Sequence, residues 1–250
     1  MKLAGRVAMV TGGGSGIGRA ICLALSREQA SVVVADVNDV GARATAESIA
    51  AEGGKALALR MDITSAAEVG RAVKQAGQHF GPVDILVNNA GWDKVMPFME
   101  TTEELWDKLI AINLKGHMVV TKAVLEGMIA RQYGKIVNIS SDAGRVGSSG
   151  EVVYSAAKAG ILGFTKALAR EMARYNITVN ALCPGPTDTP LFADIARDTP
   201  RLAESLIRAI PMRRLARVQD VAAAVVFFAS RDSDYITGQA LSISGGLSMV

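Results

Sequence analysis

Residues 11–18, TGGGSGIG, hold five glycines in eight positions. Glycine in a regular element costs about 0.5–1 kcal/mol relative to alanine, so this run indicates a special backbone shape. Residues 6–12, RVAMVTG, are typical of a short buried strand, and residues 16–28, GIGRAICLALSRE, of a helix. A strand that runs through glycines into a helix points backbone N–H groups at one place, which suits a pyrophosphate. An ordinary glycine-rich turn is the alternative.

The composition is typical of a globular α/β enzyme with one large sheet, since half of the 250 residues are apolar and a fifth are charged. The longest apolar run, residues 221–229, is far shorter than the roughly 18 residues that span a membrane. Met1 and Lys2 lead directly into the first strand region, and two cysteines do not form a disulfide scaffold. We therefore expect a cytoplasmic protein without a signal peptide.

The charged residues and histidines argue against two other classes of protein. A net charge of +3 with scattered basic residues does not predict nucleic-acid binding. Neither His79 nor His117 has a second histidine at metal-ligand spacing, so we expect surface or helix-packing roles for both. No metal site and no histidine-dependent triad is predicted.

Apolar strand patterns alternate with helix patterns along the whole chain. Further strands are predicted at residues 31–36, 55–62, 83–91, 134–141, 177–185 and 239–244, and helices at 40–52, 66–80, 102–110, 113–131, 154–174 and 218–230. This alternation predicts a parallel sheet covered on both faces, in one doubly wound domain over residues 1–250. Ligands bind beyond the carboxyl ends of such strands. The polar residues and glycines at those ends are Thr11, Gly12, Asp36, Asp62, Asn88, Asn89, Ser140, Ser141, Pro184 and Gly185.

Asp36 lies at the end of the second strand, close to the spacing of about 20 residues expected of an acid that binds an adenosine ribose. A carboxylate accepts hydrogen bonds from ribose hydroxyls and repels a 2′-phosphate. Ser15 and Val37 occupy positions where Arg or Lys would bind that phosphate, so the sequence favours NAD over NADP. A helix cap is the alternative for Asp36. Asp62 and Ile63 are expected to face the adenine, with a simple strand-end turn as their alternative.

YSAAK, residues 154–158, opens a helix and places Tyr154 and Lys158 on one helical face. A buried ammonium beside the phenol predicts a pKa of Tyr154 below its usual value of about 10. Such a tyrosine can exchange a proton with an alcohol or ketone oxygen. Ser141, at the end of the fifth strand, can donate a hydrogen bond to the same oxygen.

Besides the glycine run and YSAAK, the chain carries the motifs NNAG at residues 88–91, Asn113, ISS at 139–141 and PG at 184–185. These motifs occur in the order found in the short-chain dehydrogenases/reductases, and the chain resembles that family over essentially its whole length. The resemblance implies a three-layer Rossmann fold with a seven-stranded parallel sheet, and hydride transfer at the nicotinamide C4. It implies that Tyr154 is the acid/base and that Lys158 binds the nicotinamide ribose. Ser141 would orient the substrate oxygen, and Asn113 would hold a relay water.

The predicted cofactor site extends along most of the chain. It comprises Gly12, Ser15, Gly16, Ile17, Gly18, Asp36, Asp62, Ile63, Asn89, Ala90, Gly91, Tyr154, Lys158, Pro184, Gly185, Thr187 and Thr189. The chain departs from the family at Pro186 and Thr187, where relatives usually carry two apolar residues.

Residues 88–93, 141–154, 183–191 and 244–249 resemble the 2-hydroxycyclohexanecarboxyl-CoA dehydrogenase branch. That branch implies NAD-dependent oxidation of a 3-hydroxyacyl-CoA such as 2-hydroxycyclohexanecarboxyl-CoA to its 2-oxo form. Alternatives are a 3-oxoacyl-carrier-protein reductase or another small alcohol dehydrogenase. From a different class, a non-catalytic protein that senses NAD is a further alternative.

Residues 187–210 are long enough to form a substrate lid. Five arginines in or just beyond this segment would meet CoA phosphates or form a solvated face: Arg197, Arg201, Arg208, Arg213 and Arg214. Trp92 and Met96 would floor an acyl pocket or pack beneath the lid. The family resemblance implies a homotetramer, with residues 102–131 and 154–174 at subunit contacts.

Overall fold

The structure, a computed structural model, describes residues 1–198 and 200–250. Its centre is a seven-stranded parallel sheet with the order β3-β2-β1-β4-β5-β6-β7. The strands are β1 (Val7–Thr11), β2 (Ser31–Asp36), β3 (Lys55–Arg60), β4 (Ile85–Asn88), β5 (Gly134–Ile139), β6 (Ile177–Pro184) and β7 (Ala240–Ile243).

Helices follow the strands and cover both faces of the sheet. They are α1 (Gly16–Arg27), α2 (Asp39–Ala51), α3 (Ala66–Phe80), α4 (Glu103–Ile110), α5 (Gly116–Arg131), α6 (Ala143–Val146), α7 (Val152–Met172), α8 (Pro190–Asp198), α9 (Pro200–Ala209) and α10 (Val218–Ala229). No helix among the described residues is long and apolar enough to cross a membrane.

Alternation of side chains along the strands divides the core into two layers. Along β1, Ala8 and Val10 pack with α1, α2 and α10, whereas Val7 and Met9 pack with α3, α5 and α7. Helices on both faces of one parallel sheet make the three-layer Rossmann arrangement that the sequence predicts. This prediction is confirmed.

The strand order positions the ligand site. From β1 the chain first builds β2 and β3 on one side of the sheet, and it then returns to place β4 on the other side of β1. The connections after β1 and β4 therefore diverge and leave a crevice at the carboxyl ends of these strands.

The structure differs from the predicted elements mainly where segments leave the sheet or bend. β4 ends at Asn88 because residues 89–91 turn away over the crevice. The connection from α4 to α5 is a π-helical turn, Ala111–Lys115, where a boundary between two helices was predicted. The predicted lid contains helices α8 and α9, and residue 199 of that range lies outside the described residues.

Candidate active site

One cavity of about 1140 Å³ opens at the carboxyl ends of the strands. All predicted cofactor residues line it, and so do Ser141, Tyr154 and Lys158. Asn113 is buried behind the cavity wall and is the exception among the predicted site residues. Residues distant in sequence thus meet around one space, which excludes an isolated glycine turn as the explanation of residues 11–18.

Close packing explains the glycines at the start of this cavity. Gly12 has φ +64°, and a β-carbon there would lie 2.9 Å from the Ala90 Cα. A β-carbon on Gly18 would overlap the carbonyl oxygen of Gly12. Only glycine lets α1 begin this close to the loop, so the first N–H groups of α1, which have no partner within the helix, face the crevice. This cradle fits a pyrophosphate.

Thr11 and Asn89 join the glycine loop to the end of β4. The Thr11 hydroxyl accepts hydrogen bonds from the Asn89 and Ala90 N–H groups, both at 3.0 Å. In return the Asn89 side-chain amide donates to the carbonyl oxygens of Thr11 at 3.0 Å and Gly12 at 3.1 Å. The sequence analysis marked both positions as polar strand ends but did not assign Thr11 this supporting role.

Asp36 lines the cavity and also supports the glycine loop. One carboxylate oxygen accepts from the Gly14 N–H at 2.8 Å, and the other accepts from the Asn38 N–H at 2.9 Å. Asn38, rather than Asp36, caps α2, because its side chain accepts from the Gly41 N–H. The helix-cap interpretation of Asp36 is therefore wrong.

The cationic side chains among the described lining residues are Lys108 and Lys158. Lys108 Nζ lies 3.9 Å from the centre of the Trp92 ring, and Lys158 Nζ donates to the Ile139 carbonyl. Val37, beside Asp36, is 58% exposed. The lining near Asp36 therefore offers a carboxylate and small or apolar groups.

Asp62 forms a turn at the end of β3. One of its carboxylate oxygens accepts from the N–H of Thr64 at 2.8 Å and from its hydroxyl at 2.7 Å. Ile63 is buried and packs where Gly116 leaves room for it, since a β-carbon there would lie 2.6 Å from the Ile63 side chain. The strand-end turn therefore explains the hydrogen bonds of one Asp62 carboxylate oxygen. Asp62 and Ile63 also line the cavity.

Ser141, Tyr154 and Lys158 meet at the other end of the cavity. The Ser141 hydroxyl accepts from the Ala143 N–H at 3.1 Å and is hydrogen-bonded to the Tyr154 phenol. Lys158 is only 2% exposed, and its Nζ donates to the Ile139 carbonyl at 2.9 Å. Burial lowers the pKa of Lys158 to about 8, against the opposing charge of Asp93.

The structure contradicts the expectation that Lys158 lowers the pKa of Tyr154. Burial raises the pKa of the Tyr154 phenol above its usual value, the charges of Asp93 and Glu151 raise it further, and the hydrogen bond with Ser141 lowers it. Lys158 Nζ lies 5.6 Å from the centre of the Tyr154 ring and points to a backbone carbonyl. Removal of the phenol from water outweighs the ammonium at this separation.

Asn113 lies in the π-helical turn between α4 and α5, a type of irregularity frequent at functional sites. Its side-chain amide donates to the Trp92 carbonyl at 2.7 Å and the Leu109 carbonyl at 3.0 Å, and its oxygen accepts from the Trp92 N–H. A β-carbon on Gly91 would lie 3.0 Å from that oxygen and 3.3 Å from Lys158 Nζ. Asn113 thus fixes Trp92 in the cavity wall; its predicted relay water remains a prediction.

His117 is buried behind the NNAG segment. Burial and then the charge of Lys158 lower the pKa of His117 to about 3, so the ring is neutral. Its Nε2 lies 2.9 Å from the Ala90 carbonyl oxygen, to which the neutral ring donates. The helix-packing interpretation is confirmed for His117.

Asp93 and Glu151 are site residues that the sequence analysis missed. Both line the cavity beside Tyr154. Asp93 is 8% exposed, and burial raises the pKa of its carboxyl well above the usual range. The available signal was the placement of Asp93 two residues after NNAG and of Glu151 three residues before Tyr154.

The connection after β6 crosses back to the glycine loop. Thr187 donates to the Gly185 carbonyl at 2.9 Å, and the Thr189 hydroxyl accepts from the Phe192 N–H at 3.2 Å at the start of α8. A β-carbon on Gly16 would lie 3.6 Å from the Thr189 methyl group. The segment therefore closes one side of the cavity against α1.

Apolar side chains line the substrate end. They are Trp92, Val95, Val146, Phe192, Leu206 and Leu247. Met96 lies outside this cavity and borders a small adjoining one, so it is not the floor of the acyl pocket.

The lid arginines do not line the cavity within the part of the chain that the structure describes. Arg197 pairs with Asp194, Arg208 with Glu204 and Arg214 with Asp220, and Arg213 donates to the Arg208 carbonyl. These contacts favour the solvated-face interpretation over phosphate binding.

Comparisons with known proteins agree with this geometry. A family profile described as "Enoyl-(Acyl carrier protein) reductase" matches residues 12–248. The 3-oxoacyl-[acyl-carrier-protein] reductase FabG of Thermotoga maritima is 36% identical over 99% of this chain and 99% of its own. The (2S)-[(R)-hydroxy(phenyl)methyl]succinyl-CoA dehydrogenase subunit BbsD of Thauera aromatica is 38% identical over 100% of this chain and 99% of its own.

Among solved structures, a single-residue variant of actinorhodin polyketide ketoreductase with NADPH has a TM-score of 0.94 at 37% identity and covers 97% of each chain. The profile match, the near-complete coverage by these relatives and the arrangement of Ser141, Tyr154 and Lys158 at the end of a Rossmann sheet agree. The chain belongs to the short-chain dehydrogenase/reductase family and is an oxidoreductase of its 3-oxoacyl-acyl-carrier-protein-reductase-like branch.

Proposed function

We propose that the protein oxidises the secondary alcohol of a 3-hydroxyacyl-CoA to a ketone with NAD, the best candidate being 2-hydroxycyclohexanecarboxyl-CoA and its 2-oxo product. The observation that carries the proposal is the cavity itself. It has the hydrogen-bonded Ser141 and Tyr154 at one end, the Asp36 carboxylate among its lining and an apolar substrate wall.

The residues around the cavity suit the cofactor that the family uses. Gly12, Gly16 and Gly18 with the start of α1 would hold the pyrophosphate, Asp36 the adenosine ribose and Lys158 the nicotinamide ribose. Bound NAD would supply the hydride acceptor at the nicotinamide C4.

The chain's own residues supply the proton chemistry. Ser141 donates a hydrogen bond to the substrate oxygen and holds it near the Tyr154 phenol. Ionised Tyr154 takes the proton of the alcohol, and protonated Tyr154 returns it to a ketone in the reverse direction. The buried Lys158 ammonium stands behind Tyr154 and gives this end of the cavity a positive charge.

Asp36 supports NAD rather than NADP. A 2′-phosphate at its carboxylate would meet a negative charge, and the cationic lining residues lie at Trp92 and Ile139. The ketoreductase with NADPH shows that similar folds accept the other cofactor. The preference therefore rests on Asp36 and its surroundings.

The relatives support a thioester substrate. One is named as a dehydrogenase of a hydroxyl-bearing acyl-CoA, and the FabG relative is named as a reductase of the corresponding keto group on a carrier protein. The reduction of a 3-oxoacyl-carrier protein is the second candidate, which the FabG relative favours. A non-catalytic NAD sensor is not favoured, because the predicted Ser–Tyr–Lys group is complete.

We further propose a cytoplasmic homotetramer. The outer face of α7 carries exposed small residues at helical spacing, namely Ala156, Ala159, Gly163 and Ala167. Such a face lets a second α7 approach closely. Sedimentation at micromolar concentration is expected to give a tetramer, and a stable monomer would contradict this part of the proposal.

The test is a steady-state assay of both directions with matched substrates. We expect NAD-dependent oxidation of 3-hydroxyacyl-CoAs to proceed with a higher kcat/KM than NADP-dependent oxidation, and alicyclic thioesters to exceed linear ones. A higher kcat/KM for NADPH-dependent reduction of 3-oxoacyl-carrier protein would favour the second candidate. Tight NAD binding without turnover of any alcohol would favour the sensor.

A further inference from the structure

Lys108 is a cation in the cavity wall that the proposed mechanism does not use. It lies near the end of α4 and lines the cavity, and its Nζ lies 3.9 Å from the centre of the Trp92 ring. Lys158, the other cation among the described lining residues, is buried and donates to the Ile139 carbonyl. Lys108 is therefore the cation that the described lining offers to the outer part of a substrate.

No acidic side chain pairs with Lys108 in the part of the chain that the structure describes. Glu104 lies one turn earlier on α4, at a spacing that suits an ion pair, and does not form one. The lid differs in this respect, because Arg197 and Arg208 pair with acids on their own helices. An ammonium that is left without an acid in a cavity wall can bind an anionic group of a ligand.

Trp92 holds the Lys108 ammonium in place. The Trp92 N–H donates to the Asn113 side-chain oxygen at 3.2 Å, and the Trp92 carbonyl accepts from the Asn113 amide at 2.7 Å. Asn113 is itself fully buried, so the backbone of Trp92 is tied to the interior. The face of the indole ring attracts the ammonium. A cation that is already held in one position loses less conformational entropy when it binds an anion.

The cation and the ring lie beside the reacting groups. Gly91 directly precedes Trp92, and a β-carbon on Gly91 would lie 3.3 Å from Lys158 Nζ. Trp92 is also part of the apolar substrate wall, together with Val95 and Leu247. This wall therefore combines an apolar surface, which suits acyl carbons, with the positive charge of Lys108.

We propose that Lys108 binds an anionic oxygen group of the thioester substrate, with its ammonium held over the Trp92 ring. Two parts of such a substrate carry this chemistry, namely a phosphate of CoA and a carboxylate on the acyl chain. Lys108 is a specificity-determining residue, since the proton chemistry belongs to Ser141 and Tyr154. The inference rests on the proposed oxidation of a 3-hydroxyacyl thioester.

Lys108→Met is the main variant, because it removes the charge and keeps an apolar side chain of similar length on the Trp92 ring. Lys108→Arg keeps the charge and can stack on the same ring. Lys74→Met is the matched control, because Lys74 is an exposed lysine on α3 that lies outside the cavity.

Three thioesters separate the two sources of the anionic group. 3-Hydroxybutyryl-CoA carries phosphates, the N-acetylcysteamine thioester of 3-hydroxybutyrate carries no charge, and the mono-N-acetylcysteamine thioester of 3-hydroxyglutaric acid carries a carboxylate without a phosphate. In Lys108→Met, the KM of a charged thioester should rise about three- to tenfold while kcat stays unchanged. A rise for the CoA thioester identifies a phosphate as the bound group, and a rise for the 3-hydroxyglutaric thioester identifies a carboxylate.

The controls separate charge from structure. The KM of the uncharged thioester should be the same in wild type and Lys108→Met, and Lys108→Arg and Lys74→Met should keep the wild-type KM for all three. The rise in KM should also shrink at high salt, because Lys108 is exposed and its charge is screened. If neither charged thioester changes its KM in Lys108→Met, or if the uncharged thioester loses as much as the charged ones, the proposal is overturned.

Titration calorimetry with the same thioesters, in the absence of NAD, measures binding without turnover. A charged thioester should bind more weakly to Lys108→Met than to wild type, and the uncharged thioester should bind equally to both. This result in a wild-type protein that oxidises none of the thioesters would contradict the proposed function and leave the anion-binding role of Lys108 supported. Turnover with equal affinities in both proteins would overturn the role of Lys108 and leave the proposed function standing.

Discussion

Asp36→Ala should weaken NAD binding, narrow the preference over NADP and loosen the glycine loop. The carboxylate is proposed to accept ribose hydrogen bonds, and a hydrogen bond to a charged group contributes about 1.5–3 kcal/mol. Loss of one such bond raises the Kd for NAD about 10- to 100-fold, since each 1.4 kcal/mol is a factor of about ten. The Kd for NADP should rise less, because the repulsion of its 2′-phosphate disappears together with the carboxylate.

Asp36→Ala should also lower the free energy of unfolding of the protein. Alanine leaves the Gly14 N–H without its acceptor at 2.8 Å, which costs about 1 kcal/mol at a part-buried position. Water can replace the exposed contact with Asn38. For a chain of this size, the change corresponds to a fall in Tm of about 2–4 °C.

Titration calorimetry with NAD and NADP, combined with thermal unfolding, separates the two effects. Asp36→Asn is the matched control, because it keeps an acceptor for the Gly14 N–H but removes the charge. Asp36→Asn should recover most of the free energy of unfolding that Asp36→Ala loses. It should still lose the preference for NAD over NADP. A wild-type protein that binds NADP more tightly than NAD would refute the reasoning.

Three further changes test the architecture of the site. Gly18→Ala should destabilise the protein by about 1–3 kcal/mol, because the added β-carbon overlaps the Gly12 carbonyl. Gly70→Ala, at a position on α3 where a β-carbon meets no other atom, should stabilise the protein slightly. Equal Tm values for the two variants would contradict this. Thr11→Val should lower the free energy of unfolding by about 1–3 kcal/mol, because it removes the hydroxyl that accepts from the Asn89 and Ala90 N–H groups. Thr11→Ser keeps a hydroxyl and should retain most of this stability. Equal losses in the two variants would contradict the prediction. Lys158 has a native pKa of about 8 against 10.5, so the unfolded chain binds more protons between these pH values. The free energy of unfolding of the wild type, taken relative to that of Lys158→Met, should therefore rise with pH across that window by up to about 1.4 kcal/mol per pH unit. If urea titrations give a difference between the two proteins that does not change with pH, this prediction is wrong.

Much of the fold follows from local pattern. β2 and α3 occupy the predicted residues, because a continuous apolar run and an amphipathic repeat each specify their element without help from distant residues. The π-helical turn Ala111–Lys115 has no such local signal, since its residues suit an ordinary helix. Helices α8 and α9 each begin at a proline, and Phe192 and Leu206 from them line the cavity. The sequence analysis interpreted this segment as a lid without assigning helices.

The candidate site divides in the same way. Glycines, Asp36 and the Tyr154–Lys158 spacing are local signals at strand and helix ends, and the structure brings all of them to one cavity. The placement of Asp93 and Glu151 in the same cavity depends on how the segment after β4 folds over the start of α7, where the Met96 N–H donates to the Gly150 carbonyl. Periodicity does not encode this arrangement. Burial of the phenol is the main reason why the pKa of Tyr154 moves opposite to the prediction made from Lys158 alone, and the charges of Asp93 and Glu151 add to it.

Turnover by Tyr154→Phe is the most direct test of the central claim that this phenol transfers the proton. The rate of 3-hydroxybutyryl-CoA oxidation should fall by about 10²–10⁴-fold or more, while the NAD affinity, followed by fluorescence, stays close to wild type. Tyr133→Phe is the control, because Tyr133 packs against Arg6 and lies outside the cavity. It should keep the wild-type rate. A Tyr154→Phe protein that retains about a tenth of wild-type activity, well above what loss of a general acid/base allows, would show that another group carries the proton.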